Sequence, residues 1–409
     1  MNKLALAAVL SVAVIVVAAA AVAVSWDGRK STDADPPEPS GDLDAFAWKV
    51  FDGVGDGNIL VSPLGLYKAL GILTNGAGQG TPAEKALLKV LGSSDLGAMN
   101  AYASGLGDNY ETSDMVLVDS SLLKEPGVRI DPNFARIVND IYGGKVSEAD
   151  FSGDIGAVRE MIRAWVESAT HGMIPDYESA ADAGTAADIL DVAYFKGVWE
   201  DKFDASRTMS EAFHDADGSV SEVRMMHKTL ERGVQYYSDG KYRGLSIPYT
   251  SGASMIVVLP ADPKDLGVLD SWRSESAEYR TAFLKSVESA SFDGKVDLSL
   301  PKMEMSASYE MEDLFAALGL DMGMEFSDVL DGRTLSVDGG KQQTKIKVDE
   351  EGTEAAAVTE ITMKATAVLD PIQPVKFRCD VPFVFVLSDG GSAMFVGYLG
   401  DAGGMSRCS

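Results

Sequence analysis

Nucleophilic hydrolysis needs a base beside its nucleophile, and near neutral pH that base is most often histidine. The sequence holds three, His171, His214 and His227. No Gly-x-Ser-x-Gly elbow offers a serine to any of them. His171 closes a helical run, where a cation interacts well with the helix dipole; the other two lie in polar strand or turn stretches. All three read as structural. Gly76-Ala77-Gly78-Gln79-Gly80 has the look of a phosphate-cradling loop, but it lacks the Gly-Lys-Ser/Thr ending and follows a helix, so it reads as a turn. The acidic pairs Asp215/Asp217 and Glu350/Glu351 lack metal-loop spacing and read as solvated turn or strand residues. The two cysteines, Cys379 and Cys408, fit no zinc or redox motif and leave a single disulfide open. The chain is expected not to be an enzyme and to use neither cofactor nor metal.

A different chemistry, conformational instead of catalytic, is written in residues 347–366, KVDEEGTEAAAVTEITMKAT. At period two, Thr353, Ala355, Ala357, Thr359, Ile361, Met363 and Ala365 share one side. Glu354, Ala356, Val358, Glu360, Thr362, Lys364 and Thr366 share the other. The first side carries no charge and begins with very small residues. Such a segment suits a strand with one buried face, and its low bulk also suits an exposed loop. An Ala-rich helix start fits the periodicity as well.

Glu350-Glu351-Gly352-Thr353-Glu354-Ala355-Ala356-Ala357 resembles the hinge of the serpin family, in the form its inhibitory members carry. Other matches follow in the family's order from about residue 45 to 402. They include Asn58-Ile-Leu-Val-Ser62-Pro63, Trp165-Val-Glu-Ser-Ala-Thr-His-Gly172 with Ile174-Pro175, and Tyr194-Phe-Lys-Gly197-Val-Trp199. Phe213-His214, Met225-Met226-His227, Leu300-Pro301-Lys302, Pro382-Phe383-Val384-Phe385 and Phe395-Val-Gly397 continue the series.

The resemblance implies an α+β fold with three β-sheets, eight or nine helices and an exposed reactive-centre loop. It implies a suicide substrate of serine-type proteases, and of some cysteine proteases. The loop is cleaved, an acyl-enzyme forms, and the loop enters the central sheet as a strand, trapping the protease. The partner is then a target protease of unknown identity, and the chain is expected to be a monomer. The family's usual count from Glu350 puts the reactive bond at Thr366-Ala367. The loop is longer than is usual, which leaves Met363, Lys364 and Leu369 as alternates. Glu350 is implied to pair with Lys302 near Trp199, where the sheet opens. Halfway down that sheet the family's polar cluster is altered. Ser62 is present, but Gly65 replaces a serine, Asp191 an asparagine and Gln342 a histidine. The rival reading is a non-inhibitory binding protein or chaperone of the same fold.

These residues need elements to hold them. Leu43, Phe46, Ala47, Val50 and Val54 recur at helical spacing. Ser62-Pro63 and Thr81-Pro82-Ala83-Glu84 each open a helix with a capping residue, the second running through Val90 to Gly92. Asp131-Pro132 opens another, and Ile155 to Thr170 is expected to bury Val158, Ile162, Trp165 and Val166. One helix is expected over Asp265 to Ser286 and one over Tyr309 to Leu318. Strands are expected at Ile189 to Phe195, Gly233 to Tyr237, Ser254 to Leu259, Val296 to Leu300, Thr344 to Val348, Pro382 to Leu387 and Ala393 to Leu399.

Composition bounds the rest. Hydrophobic residues make up 46% of the chain, enough for a large core that needs no disulfide staples. The net charge of -27 argues against nucleic acid and against an anionic membrane surface. Leu4 to Val24 carries no charge after Lys3, so residues 1–25 read as a signal peptide or an N-terminal membrane anchor. Residues 26–42 read as a flexible linker with three prolines, 43–402 as the folded domain and 403–409 as a tail. The protein is therefore expected to be extracellular, or anchored facing outside the cytoplasm.

Overall fold

The helices start where side chains can satisfy the backbone donors of a first turn. Asp42 accepts from the Ala45 N–H and opens α1 (Leu43–Gly53), which buries Leu43, Phe46, Ala47, Val50 and Phe51. Ser62 caps α2 (Pro63–Gly76), which is buried along almost its whole length. Thr81 caps α3 (Pro82–Val90), while the Glu84 carboxylate reaches back to the Gly80 N–H, 2.5 Å away. Then come α4 (Leu96–Tyr110), α5 (Pro132–Tyr142) and α6 (Ile155–Ala169). The expected single helix over Asp265 to Ser286 is two, α7 (Val268–Arg273) and α8 (Ala277–Glu288). The first run ends at the Ser274 C-cap, and Ser276 opens the second, accepting from the Tyr279 N–H. The last is α9 (Met311–Leu318). Trp165, expected in the core, is half-buried.

The structure, a computed structural model, describes residues 40–110, 116–231, 233–353 and 373–405, without the side chains of 107–110, 116–119 and 191–194. All of these fall in one compact unit, Glu38–Ser409. The expected leader or anchor (1–25) and most of the linker lie outside the described residues. Among those described, no helix is long and apolar enough to cross a membrane.

One six-stranded antiparallel sheet forms the middle of the core: β1 (Ile59–Val61), β19 (Ser392–Leu399), β18 (Phe383–Asp389), β10 (Ser254–Pro260), β9 (Tyr242–Pro248) and β8 (Tyr236–Ser238), in that order. Covered on both faces, β10, β18 and β19 are continuous apolar runs instead of alternating ones. A second sheet orders β17 (Val375–Arg378), β11 (Val296–Pro301), β7 (Val220–Leu230) and β6 (Met209–His214). A hairpin joins β13 (Glu325–Leu330) to β14 (Arg333–Ser336). The expected strand at Gly233 to Tyr237 is shorter and later, at β8.

The remaining strands form two ladders side by side. One orders β3 (Lys145–Glu148), β2 (Val116–Lys124) and β4 (Ala187–Phe195). The other orders β12 (Met303–Glu310), β15 (Lys341–Val348), β16 (Gly352–Thr353) and β5 (Gly197–Val198). Because β5 continues β4 after Lys196, the two-residue β16 bridges the ladders at one end. Among the described residues no ladder joins β15 to β4 below it. A cleft lies there instead, lined by Ile189 and Leu190 on one bank and Lys341 to Thr344 on the other. The architecture is α+β, with nine α-helices among the described residues.

Candidate functional site

The chain leaves β15 through a tight turn and returns as β16. The Asp349 N–H donates to the Gly352 carbonyl and the Asp349 carboxylate accepts from the Glu351 N–H, each at 2.9 Å. Trp199 holds this turn from outside its own strand. Its indole N–H donates to the Asp349 carbonyl and its backbone N–H to the Glu351 carbonyl, both at 2.9 Å. The Phe203 N–H takes the Glu350 carbonyl. Every carbonyl of the turn from Asp349 to Gly352 therefore has a partner, as a half-buried turn requires.

Side chains then fix the acidic residues. Lys302 lies 2.9 Å from Glu350, and Thr208 donates to the same carboxylate at 2.8 Å. Burial pushes the Glu350 carboxyl up, but the hydrogen bonds from Lys302 and Thr208 outweigh it and hold the group below its ordinary range. Lys202 pairs with Glu351 at 2.6 Å. Lys302, Glu350 and Trp199 are thus brought together. Thr208 and Lys202 complete the set, and no local pattern in the sequence singles them out.

Gly352 and Thr353 enter the sheet. A Cβ on Gly352 would stand 1.9 Å from the Gly197 carbonyl oxygen, so no other residue fits without moving a strand. Thr353 is 1% exposed, and its hydroxyl lies 2.7 Å from the Tyr249 hydroxyl. Tyr249 in turn stacks on Trp199 at 4.4 Å and 10°. Burial pushes the Tyr249 phenol well up, so it stays a neutral hydroxyl partner. Tyr249 escapes a sequence reading because nothing near it announces the contact. The other expected hinge residues, Glu354, Ala355, Ala356 and Ala357, lie outside the described residues. So do the expected reactive-bond positions Thr366 and Ala367 and the alternates Met363, Lys364 and Leu369.

Farther down the cleft, Gln342 on β15 grips Ser62 reciprocally. Its carbonyl oxygen accepts from the Ser62 N–H at 3.1 Å and its amide donates to the Ser62 carbonyl at 2.9 Å. Thr344 donates to the Leu60 carbonyl at 2.7 Å. Two polar side chains of β15 thereby satisfy the backbone of the chain around β1. Asp191 stands opposite Ser120 in the β2–β4 register; its side chain lies outside the description.

One sequence reading needs correction. Asp215 is not solvated but 1% exposed, because it accepts from Ser221, Ser219 and the Ala402 N–H and so ties the β6–β7 turn to the chain after β19. His227, read as structural, sits in mid-ladder. It stands between Ser299, 3.1 Å from Nδ1, and Glu211, 2.8 Å from Nε2. Ser299 is cross-strand to His227 in mid-ladder and 5% exposed, unlike a nucleophile raised on an elbow, so the trio acts as a polar cross-strand tie. Cys379 is buried, and burial pushes its thiol up; Cys408 lies outside the described residues.

With this geometry in view, comparison with known proteins is informative. Residues 43–401 match the family described as Serpin (serine protease inhibitor). A serpin-like protein of Thermococcus kodakarensis is 30% identical over 349 residues, 83% of this chain and 80% of its own. The native state of tengpin, a thermophilic serpin, superposes with a TM-score of 0.75 at 23% identity, over 88% of this chain and 93% of that one. Thyroxine-binding globulin in complex with thyroxine superposes with a TM-score of 0.74 at 22% identity, over 88% and 98%. At these identities the two structures speak to fold alone.

Proposed function

Because the chain belongs to the serpin family, we propose that it inhibits serine-type proteases as a suicide substrate. The family's members are mostly inhibitors or binding proteins, and the choice between the two rests on the hinge. The observation that carries the inhibitory reading is the position of Gly352 and Thr353, paired as a strand at the head of the cleft between β15 and β4. Past Thr353 the sequence supplies Ala355 and Ala357 at the buried positions, where bulk would clash and charge would be desolvated unpaired.

In this reading the protease's serine attacks the loop, and the scissile peptide becomes an ester to the enzyme with release of the new amino terminus. The loop strand then zips into the cleft from β16 onward. Each rung adds two ladders' worth of backbone hydrogen bonds and buries small apolar side chains. The bound protease is carried along before water can break the ester. The trap is kinetic, driven by free energy stored in the unfilled sheet. Export by residues 1–25, as leader or tether, brings the chain to proteases outside the cytoplasm.

Mixing the protein with elastase, subtilisin, chymotrypsin and trypsin tests this. The inhibitor gives an SDS-stable complex with at least one of them. A clipped band without complex is the result expected of a non-inhibitory binding protein and would overturn the proposal. Thr353→Arg removes the Tyr249 contact and sets a charge at a position that is 1% exposed. It should shift the outcome from complex to clipped substrate, read on the same gel, while the uncleaved fold persists.

A further inference from the structure

We propose that Lys202 is a positioning residue for trapping: by holding Glu351 it fixes the head of the entering strand against the β4–β5 side of the cleft. This inference rests on the insertion reading above and adds a residue that sets how many cleavages end in capture.

The two adjacent carboxylates of the turn go to different supports. Glu350 goes to Lys302, which directly precedes β12, and β12 pairs with β15. Glu351 goes to Lys202, 2.6 Å away and shortly past β5, the continuation of β4. One glutamate thus ties the turn to each bank. The strand beside them needs that help. β16 meets β15 only at Thr353 opposite Val348, and β5 only at Gly352 opposite Val198 and Thr353 opposite Gly197. So short a ladder does little to hold its own end in place.

Lys202 acts from a fixed base. On one side of it Asp201 pairs with Lys228 at 3.0 Å. On the other, buried Phe203 packs edge-on against Trp199 and donates its N–H to the Glu350 carbonyl. Glu351 is held as firmly, its N–H on the Asp349 carboxylate and its carbonyl on the Trp199 N–H. With both backbones placed, the pair orders only two side chains. These are 37% and 27% exposed, so salt screens the pair in part. The order of events assigns the role. Glu351 precedes the loop and stays joined to β15 after any cut beyond Thr353. A held turn lets the next rung close at once, whereas a loose one lets the hinge lift out while water reaches the ester. Lys202 therefore acts on the partition between capture and release, not on the attack that opens the loop.

Partition and cutting are measured separately to test this. Lys202→Gln should raise the inhibitor consumed per protease captured about two-fold, the scale of one partly exposed ion pair, with the rate of first cutting unchanged. Lys202→Arg should keep the wild-type ratio. Glu351→Lys should raise it as Lys202→Gln does, and joining Glu351→Lys to Lys202→Glu should restore it. Melting of each uncleaved variant confirms that it folds. Where the exchange variants do not fold, salt gives the same test: going from about 0.05 to 0.5 M NaCl should raise the ratio more in wild type than in Lys202→Gln. If wild type forms the complex yet Lys202→Gln captures as efficiently, or the folded exchange fails to rescue, Lys202 has no such role and insertion stands. If wild type is only clipped, both readings fall.

Discussion

At the scale of single residues, the site is built by close approach more than by charge. Gly352 is where this is sharpest, since its Cα faces the Gly197 carbonyl with no room for a methyl group. Gly352→Ala should destabilise the uncleaved protein by about 1–3 kcal/mol in urea denaturation. It should also raise the amount of inhibitor consumed per protease trapped, because the expelled hinge no longer seeds the strand; unchanged values of both would mean that β16 is not the seed. Much of this site is legible in the sequence. Glu350, Gly352 and Thr353 stand out as a contiguous run, and the resemblance pairs Glu350 with Lys302. Thr208, Lys202 and Tyr249 do not stand out, because each reaches the hinge from more than a hundred residues away in sequence and carries no local pattern. The trio Ser299, His227 and Glu211 is hidden for the same reason, its members meeting only through strand register.

At the scale of elements, helices with a capping residue and a following proline, such as α2, α3 and α5, are readable from their first residues. α4 is not, because Leu96–Tyr110 is rich in small residues and glycine and has little apolar contrast. β6 and β7 are hard to read because their exposed positions carry charge and break clean alternation. Strand β4 holds a quieter feature. Asp188 is buried enough that its pKa is pushed up to about 6. The folded state therefore binds a proton more tightly than the unfolded chain does, so stability falls as pH rises from the ordinary carboxylate range through about 6. Asp188→Asn should thus stabilise the protein by about 1–2 kcal/mol at pH 7.5 and hardly at all near pH 4. Denaturant melts at both pH values check this; equal gains at both would show that the carboxylate is not desolvated in the native sheet.

At the scale of the whole molecule, the described fold holds a well-packed apolar sheet and, apart from it, two ladders bridged at one end by β16. The strands of that core are legible as the apolar runs at Ser254–Leu259 and Pro382–Leu387, whereas their order in the sheet is set by long-range pairing that no local pattern shows. No local residue pattern encodes the cleft between the two ladders; the family resemblance alone implied a sheet with room for a further strand. Gln342 and Thr344 tie β15 to the backbone near β1, while β2 and β3 carry β4, so the banks of the cleft are anchored separately. Filling such a cleft joins two independently supported ladders into one, which raises the barrier to unfolding as well as the number of hydrogen bonds. The most direct test is heat denaturation before and after a single protease cut within residues 354–372. A large upward shift of the melting transition, with both fragments retained, is the predicted result. An unchanged or lower transition would contradict the account.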